Sequence, residues 1–542
     1  ASYAGARTLV TMKQVGLNVA SDPLMSLAYI GVKGGMVILV ADDPGPISSQ
    51  TEQDTRTFGI YSKLPVFDPV SPEEAYQMIQ DAFLCSEKLN TPVLFRPTTR
   101  VCHGCADINV LSQPVLHKPE GFIKDSSRWV IFPRLSYANH MKIEARNRDL
   151  ADEFSKNPYN VVTGSGKKGI AAGGISYAYL KEAMTETISQ SLPKESEVKL
   201  FRVGTPHPFP EKLALSFLEG LEEVLVLEEL DPVIEKELIY ICGKYHLNVT
   251  IKGKLSLDTA CAGENSVEMI TEYLQDFLNL EKTTDAKPDM PKLPVRPPVL
   301  CAGCPHRASF YAVKQAMKGK KAVYSGDIGC YTLGNAMPLD MVDTCLCMGA
   351  GITIAQGLHR IEPDTVNFAF VGDSTFFASG MTGVVNAVYN QTDIVLIVLD
   401  NSTTAMTGHQ VHPGTGKTMM GNVIDPVNIE KILRAIGVES VEIVNPNHLD
   451  EAIGAVEAAS LKKGVRAIIF KAPCIALEKP KKPLTINENQ CIRCKKCIKE
   501  LGCPAIVRAA DGQINIDESL CYGCGICTYV CPVNAIGGND HE

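Results

Sequence analysis

Eight of the chain's 19 cysteines fall in two short runs, CIRCKKCIKELGCP (Cys491, Cys494, Cys497, Cys503) and CYGCGICTYVCP (Cys521, Cys524, Cys527, Cys531). Three cysteines at two-residue intervals let one loop wrap an iron–sulfur cubane, and the more distant Cys-Pro supplies a further thiolate. Two such runs therefore read as two [4Fe–4S] clusters. In arrays of this spacing the fourth cysteine serves the other cluster. That assigns Cys491, Cys494, Cys497 and Cys531 to one cluster, and Cys503, Cys521, Cys524 and Cys527 to the other. A zinc ribbon needs only paired C-x2-C knuckles with four ligands per metal, so the third cysteine in each run argues against zinc. The first run has five residues rather than three before Cys503, which alters the loop and leaves the ligand count unchanged.

A second constellation consists of oxygen ligands. VGDST (371–375) ends an apolar run at Asp373, and 28 residues later Asn401 ends another in LDNSTTAMTG. Both residues stand at the ends of expected parallel strands joined by the helical stretch SGMTGVVNAVYN, and doubly wound sheets bind ligands at that edge. A carboxylate, an amide and a nearby carbonyl are hard ligands that leave room on an octahedral Mg²⁺ for diphosphate oxygens. The pattern is similar to the thiamine-diphosphate motif, an acidic GD followed about thirty residues later by asparagine. That similarity implies Mg²⁺ held by the Asp373 and Asn401 side chains and the Thr403 backbone carbonyl. The plain alternative is a pair of polar loop starts, which any α/β sheet contains.

Further cysteines surround the same region: Cys301 and Cys304 in CAGCPHR, Cys330 in SGDIGC, and Cys474 in KAPC. Single buried cysteines are usually inert small hydrophobes, yet a C-x2-C pair with two separated partners suffices for another four-thiolate cluster. Cys102, Cys105, Cys345 and Cys347 also form close pairs and are read as structural. GSGKKG (164–169) fits G-x-G-x-x-G, but no acidic partner ends a following strand, and without GK[ST] it is not a Walker loop. His409 and His412 lie in a loop after Asn401 that is expected to line a pocket.

The elements that must carry these residues are α/β throughout. Short apolar runs at 9–12, 36–43, 65–70 and 92–100 alternate with helical stretches such as 72–89, and a second set of strands lies at 159–164, 198–204, 223–230 and 248–254. A third set is expected at 322–327, 366–373, 394–400 and 467–473. These runs divide the chain into an α/β domain with its connecting segment (1–154), a second α/β domain (155–281), a linker rich in proline and charge (282–299), the domain holding the Asp–Asn pair (300–480) and a cysteine module (484–540). The fold class is thus multidomain α/β with doubly wound parallel sheets and a terminal α+β two-cluster module. A net charge of −9 with no basic stripe speaks against a nucleic-acid partner. No apolar run reaches the ~20 residues needed to span a bilayer, and no leader pattern opens the chain, so a cytoplasmic protein of an anaerobe is expected.

The segments TMKQVGLNVASDPL (11–24), ADDPGPISSQTEQDTR (41–56), CAGCPHR (301–307), GDIGCYTLG (326–334), GDSTFFASG (372–380) and LDNSTTAMTGHQ (399–410) resemble the large subunits of indolepyruvate ferredoxin oxidoreductases, within the thiamine-diphosphate 2-oxoacid:ferredoxin oxidoreductase superfamily. The resemblance runs from the first residues to the cysteine tail. It implies pyrimidine-binding, transketolase-C-terminal-like, diphosphate-binding and ferredoxin-like domains in that order. It also implies a proximal [4Fe–4S] cluster on Cys301, Cys304, Cys330 and Cys474, making three clusters in all. Thiamine diphosphate with Mg²⁺ is implied near Gly372, Asp373, Ser374, Asn401, Thr403 and His306. The implied reaction is oxidative decarboxylation of an aryl pyruvate to an aryl-acetyl-CoA and CO₂, with electrons passing to ferredoxin. A smaller β subunit (α2β2) and coenzyme A are the other implied partners. The family's first domain begins some fifty to sixty residues earlier, and its activating glutamate is expected there, so no residue of this chain is nominated as catalytic. A sister enzyme acting on another 2-oxoacid, or an electron-transfer subunit without catalysis, are the alternatives.

Overall fold

The computed structural model describes residues 1–110, 118–185, 198–280, 291 and 293–537. Most of the expected linker, residues 281–290 and 292, lies outside the described residues, as do residues 538–540 of the cysteine module. The chain forms two compact units, Ala1–Asp289 and Met290–Glu542.

The first unit holds two sheets. In one, β1 (Thr8–Lys13), β2 (Met36–Ala41), β3 (Val66–Phe67) and β4 (Val93–Phe95) pair in parallel in the order β1-β2-β4-β3. Prolines flank the last two, PVFDP and PVLFRP, and keep both strands short. The helix Pro72–Leu89 covers this sheet where the sequence places it. The Ser71 hydroxyl accepts from the Glu74 amide, Pro72 opens the first turn, and Asn90 closes the last with φ 51°.

The second sheet runs β5-β7-β6-β8-β9, from β5 (Asn160–Thr163), β6 (Lys168–Gly173), β7 (Lys199–Val203), β8 (Glu223–Leu227) and β9 (Thr250–Lys252). Only β5 is antiparallel to its neighbour. Strand β6, KGIAAG, went unanticipated because its small residues lack strand propensity. Its centrality depends on that smallness: a Cβ on Gly169 would lie 2.5 Å from Leu221 and 2.7 Å from Phe217, and one on Gly173 would lie 2.8 Å from Ile234.

A buried charge network joins the two sheets. Arg96, just past β4, pairs with Asp42 at 2.7 Å and Asp68 at 3.2 Å, and Arg56 pairs with Asp54 at 2.7 Å and Glu228 at 2.8 Å. Burial pushes Asp42 and Asp68 upward, and the Arg96 charge opposes it.

The second unit is built on an all-parallel sheet, β10-β11-β12-β14-β13. Its strands are β10 (Ala322–Ser325), β11 (Val366–Gly372), β12 (Ile394–Asp400), β13 (Ser440–Val444) and β14 (Val465–Lys471). Every residue of β12 is buried, which explains its unbroken apolar run. Edge strand β13, with Glu442 in its middle, carried too weak a pattern to be foreseen. The helical stretch after Asp373 passes through a π turn (Phe376–Gly380) before settling into Met381–Tyr389.

The cysteine tail contains two antiparallel pairs, β15 (Thr485–Ile486) with β18 (Ile536–Gly537) and β16 (Ile506–Arg508) with β17 (Ile514–Ile516), and the helices Lys496–Leu501 and Ile526–Val530. The extra residues of the first cysteine run lengthen the former helix, which Gly502 ends with φ 57°. The tail does not form a core of its own: Leu501, Ile506, Ile526 and Val530 pack in one cluster with Phe310, Phe368 and Phe370 of the parallel-sheet domain. No described helix is long and apolar enough to cross a membrane.

The network of the first unit gives a direct test. Arg96→Met leaves Asp42 and Asp68 buried without their partner, a change that costs about 3–5 kcal/mol. Urea unfolding should show that loss, whereas a change within ~1 kcal/mol, as for an exposed pair, would show that the network is dispensable.

Candidate active site and cysteine centres

β11 and β12 are adjacent parallel strands, so Asp373 and Asn401 emerge side by side at one edge. Both are buried, as are Gly372 and Thr403, and Ser374 is half-buried. The Asp373 carboxylate accepts from the Ser374 amide at 2.7 Å and from the Ser402 amide at 2.8 Å. Ser402 sits at φ 61°, and that turn brings the Asn401–Thr403 loop back over Asp373. The Ser374 hydroxyl accepts from the Thr404 hydroxyl at 2.9 Å. Six positions named from sequence thus gather in one place, because His306, at the start of the helix Pro305–Ala316, reaches the same edge: its Nε2 lies 3.4 Å from Asn401 Nδ2. Burial lowers His306 to about 4, despite the opposing Asp373 charge, so its ring is neutral near neutrality.

His412, from the loop expected to line a pocket, completes the edge together with Asp327 and Tyr331, which the sequence did not single out. His412, buried, stands with Nε2 3.2 Å from Asp373 Oδ2 and Nδ1 accepting from the Gly414 amide, while His409 of the same loop is exposed. Asp327, beyond the end of β10, accepts from the Gly349 amide at 2.7 Å and from the Tyr331 hydroxyl at 3.1 Å. Burial pushes Asp327 upward. The Tyr331 ring fixes why Gly372 must be glycine, since a Cβ there would lie 2.4 Å from it. The G-D-I-G-C segment marked this region through its cysteine, and of the two histidines in the loop after Asn401 it is His412, not His409, that reaches the edge.

The cysteines form three groups. Cys503, Cys521, Cys524 and Cys527 line one enclosed cavity, and Cys491, Cys494, Cys497 and Cys531 line another. Cys301, Cys304, Cys330 and Cys474 lie close enough that the first and last push the Cys330 thiol upward, after burial, and burial pushes Cys304 up to about 12. Such thiols lose their protons when a metal takes their place. No three His, Cys, Asp or Glu side chains among the described residues converge as ligands of one ion would; the eight tail cysteines stand around two cavities instead. Two contacts link the groups. The Cys474 amide donates to the Asn401 carbonyl at 2.9 Å. Tyr522, between Cys521 and Cys524, donates to the Ile475 carbonyl at 2.5 Å and packs so tightly on Gly303 that a Cβ there would lie 2.4 Å away. The remaining pairs, Cys102 with Cys105 and Cys345 with Cys347, are exposed.

The arrangement gathers buried oxygen-bearing side chains at a sheet edge and cysteines in three places, with hydrogen bonds from Cys474 to Asn401 and from Tyr522 to Ile475. Residues 327–469 match the family described as thiamine pyrophosphate enzyme, C-terminal TPP binding domain, and residues 484–537 match the 4Fe-4S dicluster domain. The indolepyruvate oxidoreductase subunit IorA of Methanothermobacter thermautotrophicus is 38% identical over 99% of this chain and 87% of its own length. That of Archaeoglobus fulgidus is 38% identical over 99% and 86%, and that of Pyrococcus horikoshii 36% over 99% and 87%. With its thiamine-type edge and dicluster tail in one continuous match of that extent, the chain belongs to the IorA family of indolepyruvate oxidoreductase subunits.

Proposed function

We propose that the chain is the large subunit of an enzyme that oxidatively decarboxylates aryl pyruvates, indolepyruvate foremost, to the aryl-acetyl-CoA and CO₂ while reducing ferredoxin. The observation that carries this reading is the hydrogen bond of 2.9 Å between the Asn401 carbonyl and the Cys474 amide. Backbone contact between Asn401 and Cys474 supports a reading in which electrons generated on an organic cofactor at one residue's edge pass to a cluster at the other.

The donor set suits thiamine diphosphate with Mg²⁺: a buried carboxylate, a buried amide and a loop carbonyl are hard oxygen donors. When bound, the cofactor supplies the nucleophilic carbon and the electron sink for decarboxylation. Asp373 and Asn401 hold the metal by side chains and Thr403 by its carbonyl. Gly372 keeps the backbone close, Ser374 fixes the loop through Thr404, and His412 braces Asp373. Neutral His306 holds the Asn401 amide in place.

The cysteine groups hold a proximal [4Fe–4S] cluster on Cys301, Cys304, Cys330 and Cys474, a second on Cys503, Cys521, Cys524 and Cys527, and a third on Cys491, Cys494, Cys497 and Cys531. The continuous core between the parallel-sheet domain and the tail keeps the groups at fixed separation. A smaller subunit in an α2β2 assembly, coenzyme A and ferredoxin complete the reaction.

Chain reconstituted with its smaller subunit, offered indolepyruvate, phenylpyruvate, pyruvate and 2-oxoglutarate in turn, should release CO₂ and reduce ferredoxin fastest with an aryl pyruvate. Preference for 2-oxoglutarate or pyruvate would make it a sister enzyme, and cluster reduction without CO₂ release from any of them would leave an electron-transfer subunit.

Two further outcomes test the sites. Anaerobically purified chain should contain about twelve irons in three sets of four; eight would remove the proximal cluster, and stoichiometric zinc would remove the tail assignment. Asp373→Ala should abolish thiamine diphosphate binding, read by calorimetry, with iron content unchanged. Retained affinity would mean that the metal lies elsewhere.

A further inference from the structure

Arg307 follows His306 in the C-x2-C-P-H-R segment and is 4% exposed. Its Nη1 donates to the carbonyls of Leu501 at 2.6 Å and Gly502 at 3.0 Å, and its Nη2 to those of Leu300 at 2.6 Å and Cys301 at 3.5 Å. Its Nε has no partner. No carboxylate among the described residues pairs with it, unlike buried Arg56 and Arg96, each of which has two.

Burying a cation away from water is costly unless an opposite charge lies near. Carbonyl oxygens orient a guanidinium and satisfy its donors, but they do not cancel its charge. Groups able to carry negative charge lie close by in the cysteines, and the Arg307 charge acts on the Cys304 thiol. Arg307 lines the cavity of Cys503, Cys521, Cys524 and Cys527, and so does Cys304 of the other set. The guanidinium also clasps the backbone on both sides, just before Cys301 and just before Cys503. A cubane with four thiolates is a net anion that becomes more negative on reduction, and its potential depends on the charge beside it.

We infer that Arg307 is the shared counter-charge of the two cysteine sets and that it sets the potential of the cluster on Cys503, Cys521, Cys524 and Cys527, favouring that cluster's reduced form. The step it promotes is a one-electron transfer: the set at Cys301, Cys304, Cys330 and Cys474 is oxidised by one electron as its neighbour is reduced by one. Arg307 keeps its proton and no bond is made or broken. It acts through the clusters and touches no substrate, so it is a positioning and potential-setting residue. The inference rests on the cluster assignment proposed above.

The test is a potentiometric titration followed by electron paramagnetic resonance on anaerobically purified wild-type chain, Arg307→Gln and Arg307→Lys, with iron measured in each. Wild type without tail-cluster signals would defeat the cluster assignment itself, before Arg307 is in question. With those signals present, Arg307→Gln at full iron should lower one tail cluster's reduced-to-oxidised ratio at fixed potential by about tenfold, ~59 mV for a one-electron couple. That is the order expected when a unit charge is removed nearby in a medium of effective dielectric about 20. Arg307→Lys, which keeps the charge, should stay close to wild type. An unchanged potential in Arg307→Gln would overturn the inference. Loss of iron from both variants would also overturn it, by reducing Arg307 to a clamp on the two loops.

Discussion

The second unit depends on the parallel pairing of β12 with β14. Their register sets Asp400 opposite Lys471, and the ladder does not stop where the strands do: Ala472 donates to the Asp400 carbonyl at 3.1 Å and Cys474 to the Asn401 carbonyl at 2.9 Å. Parallel strands run in one direction, so their carboxyl ends share an edge, and whatever follows each strand meets there. Asn401 follows one strand and Cys474 the other. A slip of one residue would turn every buried side chain of β12 to the opposite face, which the covered faces of the sheet do not allow. The register of two strands therefore fixes the separation between Asn401 and Cys474.

That edge is also where the protein buries charge. Asp327, Asp373 and Asp400 lie within a short span, and burial pushes the first and last upward. The Lys471 charge and the Ser402 amide oppose this at Asp400, the Gly349 amide opposes it at Asp327, and Asp373 accepts from the Ser374 and Ser402 amides. Amide donors fixed by the fold stabilise the Asp373 carboxylate without a lysine or arginine paired to it among the described residues. The first unit solves a similar problem differently, with two arginines against four carboxylates. There the network joins two sheets, and the charges are consumed by one another.

Much of this could be read from residue types. Cysteine spacing gave the grouping of the tail, because a cubane's geometry forces short intervals and a distant fourth ligand. The strand ends at Asp373 and Asn401 were legible because β11 and β12 are long, apolar and followed at once by a polar residue. Other features were not. β6 hides behind glycine and alanine, whose placement is dictated by the helices packed on them and not by propensity. The loop of His409 and His412 was expected at a pocket, but which of the two would reach Asp373 depends on a path that no periodicity encodes. Arg307 resembles any surface arginine in a helix until the carbonyls of a chain segment nearly two hundred residues away close over it. The family resemblance supplied the grouping of Cys301, Cys304, Cys330 and Cys474, since three separate loops carry them and no local spacing links them.

The tail looks in sequence like an independent module, and its short strands and helices would be marginal alone. In the structure its apolar side chains complete the core beneath the parallel sheet, with Leu501 and Ile526 in the same cluster as Phe310 and Phe370. Helix Pro305–Ala316 is the shared wall: it buries Phe310 and Val313 in that core, hydrogen-bonds Glu500 through Tyr311 at 2.8 Å, and opens directly after Cys304. A flexible tether would let the separation between cysteine groups vary, and with it any transfer between them. Dispersing the tail's core into the neighbouring domain removes that freedom. The same packing buries Arg307, so the interior that holds the cysteine groups in place also isolates from water a cation that bonds the chain just before Cys301 and just before Cys503.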